Sequence, residues 1–135
     1  MKMTTDVPGD GTVTVLRLVG DLDAATFEDV IARGRELYQA GTRALLVDMT
    51  EVGYMGSSGL VALHSVALIM RGEEPPDPEL GWGAFKALKS DVEGGNRSSI
   101  KVLGPQPSVQ RALERTGMTE FIEIHTDEQA ALDSF

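Results

Sequence analysis

The spacing of apolar residues changes period along the chain. Residues 12–20, TVTVLRLVG, are rich in β-branched side chains and read as a strand closing at Gly20. VPGDG ahead of it is turn material, and KMTT ahead of that can fold back as a hairpin partner. From residue 27 the period becomes helical. Phe27, Val30, Ile31, Leu37 and Tyr38 recur on one stripe that also holds Gly34, while Glu28, Asp29, Arg33, Arg35 and Glu36 fall mostly elsewhere. Thr26 or Asp23 is placed to cap this helix and Gly41 to stop it. ALLVDM, residues 44–49, is a short run of buried-strand type. Strand, helix and strand in succession make a βαβ unit, which implies parallel pairing through a right-handed crossover.

A second helix is expected from Ser57 or Ser58 to about Met70. It carries Leu60, Val61, Leu63, Val66, Ala67, Leu68, Ile69 and Met70, so it is apolar nearly all round and belongs deep in the molecule. Ser57 and Ser58 supply candidate cap oxygens, and Gly59 lets another segment approach closely.

Residues 72–99 break the rhythm. GEEPPDPELG holds three prolines and four acids in ten residues and reads as irregular, mobile chain. WGAFKALKSDV places Trp82, Phe85 and Leu88 at helical spacing and reads as a short amphipathic helix with Trp82 and Phe85 on one face. IKVLG is a third core strand, PQPSVQRALERTGM a helix capped by Ser108 and stopped at Gly117, and EFIEIH a fourth strand over Phe121–Ile124. Thr126 and Gln129 form a capping box for a last helix through Leu132. The alternation predicts an α/β fold in a single domain spanning residues 1–135, without internal repeats.

Composition narrows the function. At 135 residues the chain suits one core, and its formal charge of −9 repels nucleic acid and anionic membrane surfaces on average. The absence of cysteine removes disulfides and thiolate chemistry and is compatible with a cytoplasmic location. The N-terminus reads as no signal peptide, and the apolar run near residues 59–70, interrupted by His64 and Ser65, is too short for direct membrane insertion.

The usual catalytic signatures are missing. No GxGxxG follows the first strand, no GxxxxGK[ST] occurs, and GSSGL has the wrong glycine spacing for a nucleophile elbow. His64 lies six residues beyond Ser58 on the same predicted helix, an axial rise of about 9 Å, too far to act as its base. His64 and His125 therefore read as structural, no metal-ligand set is evident, and no cofactor is expected. Asp21, Asp23 and Asp48 lie at predicted strand ends. They read either as turn and cap residues, as a carboxylate edge for Mg²⁺ or a phosphoryl group, or as an acidic edge offered to a partner. Ser57 and Ser58 read first as helix caps. A phosphate added there would meet backbone N–H groups near Gly59 and Leu60 and the positive end of the helix dipole, so the domain would tolerate it while a docked partner would not.

Four segments, VLRLVGDLDAATFEDV, ALLVDMTEVGYMGSSGLVAL, IKVLGPQPSVQRALERTGM and FIEIHTDEQAAL, resemble the STAS domain of bacterial anti-sigma-factor antagonists. The resemblance covers nearly all of the chain except residues 72–99, which stand as an insertion. It implies a small mixed β-sheet with helices chiefly on one side, and a protein that is not an enzyme. It implies an anti-sigma factor serine kinase as partner, which uses ATP itself, and a PP2C-type phosphatase that reverses the mark. Carried onto this chain, the phosphoacceptor is Ser58, and the partner-binding positions are Asp21, Asp23, Gly56, Ser57, Gly59 and Leu60. The family usually has Asp immediately before the two serines, where this chain has Gly56. Trp82 and Phe85 of the insertion either cover a core edge or form a contact surface. The alternative is a STAS scaffold without phosphorylation, or a regulatory subunit of a signalling or transport assembly.

Overall fold

The computed structural model describes residues 1–76, 82–94 and 98–135. The chain runs β1 (Lys2–Asp6), β2 (Thr14–Val19), α1 (Phe27–Gln39), β3 (Leu45–Glu51), α2 (Ser57–Met70), α3 (Trp82–Glu93), β4 (Ile100–Leu103), α4 (Pro107–Arg115), α5 (Met118–Phe121), β5 (Glu123–His125) and α6 (Glu128–Asp133). The strands form one mixed sheet in sequence order. β1 folds back antiparallel on β2, Lys2 opposite Val19 and Asp6 opposite Val15, as the KMTT hairpin reading expects. β2, β3, β4 and β5 are parallel, with Thr14 opposite Leu45, Leu45 opposite Ile100 and Lys101 opposite Glu123.

The two faces of the sheet differ because side chains alternate along each strand. Leu16, Leu18, Leu45, Val47, Met49, Ile100 and Val102 point to the face covered by α1, α2 and α4, where the main core lies. Val13, Val15, Leu46 and Leu103 point to the other, smaller face, closed by Ala131 and Leu132 of α6. The helices thus lie chiefly on one side. α2 is the central one. Every residue from Gly59 to Met70 is buried, and Gly34 of α1 has no side chain because a Cβ there would lie 3.0 Å from a Val66 methyl.

Several local expectations are corrected. The helix over 57–70 begins at Ser57, but its N-cap is Gly56, and neither serine supplies a side-chain cap. α4 starts with Pro107 at its first position, whose missing N–H needs no acceptor there, and Ser108 donates instead to the carbonyl of Gly53. α6 is capped by Asp127, whose carboxylate accepts from the Ala130 N–H, rather than by Thr126. The last strand starts at Glu123, because Phe121 and Ile122 both pack into the main core and adjacent residues cannot share one face of a strand. Gly117, at φ +79°, turns the chain out of α4 into the one-turn α5 that seats Met118 and Phe121 in the core.

The helix expected over 82–92 is present as α3, and Leu88 is buried in the main core. The reading of Trp82 and Phe85 on one face falls on side chains outside the described residues. So does the mobility expected over 77–79. Within residues 73–76, Glu74 forms a two-pronged ion pair with Arg35 of α1, and Pro75 is buried. His64 is the packed histidine expected. It is 1% exposed, shares a hydrogen bond with Asp91 of α3, and stands edge-on to the Phe121 ring.

Candidate functional site

Four parallel strands place their C-terminal ends along one edge, and the chain leaves each strand there by a short loop. The loop after β2 carries Asp21, Leu22 and Asp23. The loop after β3 carries Gly53, Tyr54, Met55 and Gly56 and leads into the first turn of α2. A bridge between Leu22 and Met55 joins the two loops. The Leu22 N–H donates to the Tyr54 carbonyl at 2.9 Å, and the Gly56 N–H donates to the Leu22 carbonyl at 3.0 Å. Two hydrogen bonds in this register make the loops a short extension of the sheet, so the acids of one lie beside the serines of the other.

Each loop is fixed further by its own residues. In the first, the Thr26 hydroxyl donates to the Asp21 carbonyl and accepts from the Asp23 N–H, while the Asp23 carboxylate accepts from the Ala25 N–H. Asp23 therefore spends much of its carboxylate on the turn, and Asp21 is the more exposed acid. In the second, Gly59 lies where a Cβ would collide with Met55 and sit 3.0 Å from the Leu22 carbonyl oxygen, so only glycine lets α2 approach the joined loops. The Gly59 N–H is donated to the Gly56 carbonyl, which corrects the expectation that this group is free to meet an anion. Ser57 is exposed, Ser58 half-buried and Leu60 buried, so Leu60 acts as wall rather than as surface.

Asp48 does not join this edge. β3 continues three residues past it, and Asp48 stands in register with Arg17 of β2 on the face covered by α6. The Arg17 guanidinium bridges Asp6, Asp48 and Glu128, each at 2.8 Å. Burial works to raise the Asp48 pKa, but the Thr50 N–H and hydroxyl and the Arg17 charge outweigh it and hold the pKa below its ordinary value. The carboxylate is a structural counter-charge. Among the described residues no group of three or more His, Asp or Glu side chains could hold a metal ion, and no helix is long and apolar enough to cross a membrane.

The structure adds two residues that sequence reasoning passed over. Tyr54 is 55% exposed, and its phenol oxygen lies 3.3 Å from where a Cβ of residue 56 would stand. The absence of a side chain at Gly56 leaves room for that ring. Arg115, in the last turn of α4, lines a cavity of about 400 Å³ together with Tyr54 and Ser57. An exposed aromatic next to the serine loop was visible in GYMGSSG. The approach of Arg115 was not, because it depends on how α4 packs.

Known proteins share this fold. The chain superposes on an anti-sigma factor antagonist from Mycobacterium paratuberculosis with a TM-score of 0.66 at 18% identity, covering 98% of this chain and 93% of that one. It superposes on the anti-sigma factor antagonist SpoIIAA in its unphosphorylated form with a TM-score of 0.53 at 17% identity, covering 98% and 96%. The Bacillus cell fate determinant SpoIIAA in the phosphorylated form gives 0.56 at 16% identity, with 98% of both chains covered. These likenesses establish a common fold. The family model described as Mlab, STAS domain matches residues 5–75, just over half of the chain and the part that contains both loops of the site. With its sheet order, its joined loops and this match, the chain belongs to the STAS domain family.

Proposed function

We propose that this protein is an anti-sigma-factor antagonist: a single STAS domain with an insertion over about residues 72–99, working in the cytoplasm as a binding module without catalytic chemistry. In this reading it binds an anti-sigma factor serine kinase through the loops at the strand edge. The kinase transfers the γ-phosphoryl group of ATP to Ser58, and a PP2C-type phosphatase removes it. The observation that carries the reading is the serine pair itself. Ser57 and Ser58 open a helix whose remaining turns are buried, on a loop hydrogen-bonded to the neighbouring Asp21–Asp23 loop. A relative of the same fold solved in both phosphorylated and unphosphorylated forms supports it.

The physics of the switch follows from the placement. α2 is held by the core along its length, so a phosphate at its first turn leaves the domain folded. The group adds a charge of about −1.5 to −2. The flank already carries Asp21, Asp23 and the exposed Glu51. A charge left unpaired in a closed interface costs several kcal/mol, enough to weaken binding about a hundredfold.

The test uses the cognate kinase with ATP, site mapping by mass spectrometry, and affinity measured before and after. Phosphate is expected on Ser58. Ser58→Ala keeps binding and takes no phosphate, and Ser58→Asp binds more weakly than wild type but more tightly than the phosphorylated protein. A kinase that binds and leaves no phosphate overturns the switch and selects the unphosphorylated scaffold, for which Gly56 in place of the family's carboxylate already speaks.

A further inference from the structure

The cavity beside the serine loop differs in charge from the rest of the molecule. It opens between the first turn of α2 and α4, with Met55, Leu60 and Ala112 as apolar wall and Tyr54 and Ser57 on its rim. Among the described residues that line it, Arg115 alone is charged. In two other cavities the charged residues of the lining are mostly or wholly acids. One has Glu28, Glu36 and Glu74 around Arg35, and the other has Asp10, Glu128 and Asp133. In a chain of net charge −9, a cavity with a cation and no acid is the exception.

Arg115 is exposed and makes no ion pair among the described residues. Arg111 lies one turn earlier on α4, also exposed and also without an ion pair among the described residues. A cation in the last turn of a helix complements the dipole, which accounts for Arg115 at that place in the sequence. It does not account for a guanidinium on the wall of a cavity beside the site.

The order of charges along the edge is fixed by hydrogen bonds. Asp21 and Asp23 lie on one flank, joined to the central loop through the Leu22–Met55 bridge. Tyr54 and Ser57 occupy the middle. α4 lies on the other flank, held by the Ser108 hydroxyl on the Gly53 carbonyl and the Gln106 amide on the Thr50 carbonyl. The face is therefore bipolar, with an exposed phenol at its middle. It is negative on the side of α1 and net positive on α4, where Arg111 and Arg115 stand against one exposed acid, Glu114, that does not line the cavity.

We propose that this cavity receives an acidic side chain of the protein that docks on the serine loop, with Arg115 as its counter-ion, while Asp21 and Asp23 meet a basic stretch of the same partner. The inference rests on reading the serine loop as a protein-binding surface, and it names the chemistry of what binds there. A carboxylate gains a two-pronged bond to the guanidinium, and the methylenes behind it rest on the apolar wall. Opposite charges on the two flanks admit one orientation of the partner and penalise the reverse. Tyrosine and arginine at the centre of a contact are the residue types that most often dominate its energy.

The experiment measures the affinity of the full chain for the anti-sigma factor kinase that the proposed function requires. Arg115→Glu is expected to lower affinity tenfold or more and Arg115→Lys by less. Arg43→Glu, the same charge change at the opposite edge of the sheet, is expected to stay within twofold. Circular dichroism confirms that each variant is folded. Arg115→Glu within twofold of wild type overturns the proposal, and so does an equal loss from Arg43→Glu, which reads net charge alone. A wild-type chain that binds no such kinase defeats the proposed function instead. The cavity is then read by NMR titration with the peptide acetyl-Glu-Leu-Glu-amide. Saturable shifts gathered at Ser57, Ser108 and Arg115 and abolished by Arg115→Glu support the proposal, and shifts absent or scattered overturn it.

Discussion

Asp48 shows how one carboxylate can be legible as a residue and misread as a role. Its place near the end of an apolar strand suggested a carboxylate edge, but β3 runs on to Glu51 and the side chain meets Arg17 instead. The Arg17 proton is held more firmly than usual by Glu128, Asp6 and Asp48, in that order, so both partners report the same attraction. The pH dependence follows from the sign of the Asp48 shift. Its folded pKa lies below the unfolded value of about 4. Its contribution to stability is therefore full above that value and is lost as pH falls through the folded pKa. Asp48→Asn should be less stable than wild type at pH 7 and should lose less on acidification to pH 3. Urea unfolding at the two pH values measures this, and an unchanged pH dependence would show that Asp48 contributes nothing through its charge.

At the scale of elements, the helix inserted between α2 and β4 is part of the core rather than an appendage. α3 buries Leu88 to 2% exposure and reaches His64 in the middle of α2 through Asp91. Arg71, just past α2, reaches the same carboxylate at 3.8 Å. A leucine so placed is worth about 2–5 kcal/mol against alanine, because transfer from water and the cavity left behind add. Leu88→Ala should lower stability by that amount. In hydrogen exchange the amides of α3 should lose protection before those of β3, which is paired on both sides. Equal loss across both elements would mean that α3 unfolds only with the whole.

At the scale of the molecule, charge is the property that composition and structure describe together. Twenty-one acids face twelve lysines and arginines. The ion pairs use the cations unevenly: Arg17 serves three carboxylates, while Arg111 and Arg115 serve none among the described residues. The surface is left with a net self-repulsion that salt screens. The thermal midpoint should therefore rise between about 0.02 M and 0.5 M sodium chloride, a range that takes the Debye length from over 20 Å to under 5 Å. A falling midpoint would mean that the ion pairs on Arg17 outweigh the surface repulsion. Binding through the bipolar face should move the other way and weaken with salt, since its charges are complementary to those of the partner.

The sequence by itself determined the α/β class, the order of the main strands and helices and the serine loop, because each is written in local terms. Runs of β-branched residues, a 3.6-residue apolar period and glycines at stops depend on near neighbours along the chain. The nearly all-apolar composition of residues 59–70 likewise predicted the most buried helix. Only the tertiary structure decided what depends on residues far apart in sequence. It moved Asp48 away from Asp21 and Asp23, because strand length and register set which carboxylate reaches the edge. It gave the caps to Gly56, Gln106 and Asp127 rather than to Ser57, Ser108 and Thr126, since several polar residues compete at each helix start and packing fixes where the first turn begins. It brought Arg115 to Ser57 across 58 positions of chain, a proximity set by the bonds that hold the start of α4 to the end of β3 and the loop after it. Local pattern names the residues that can do chemistry, and packing decides which of them meet.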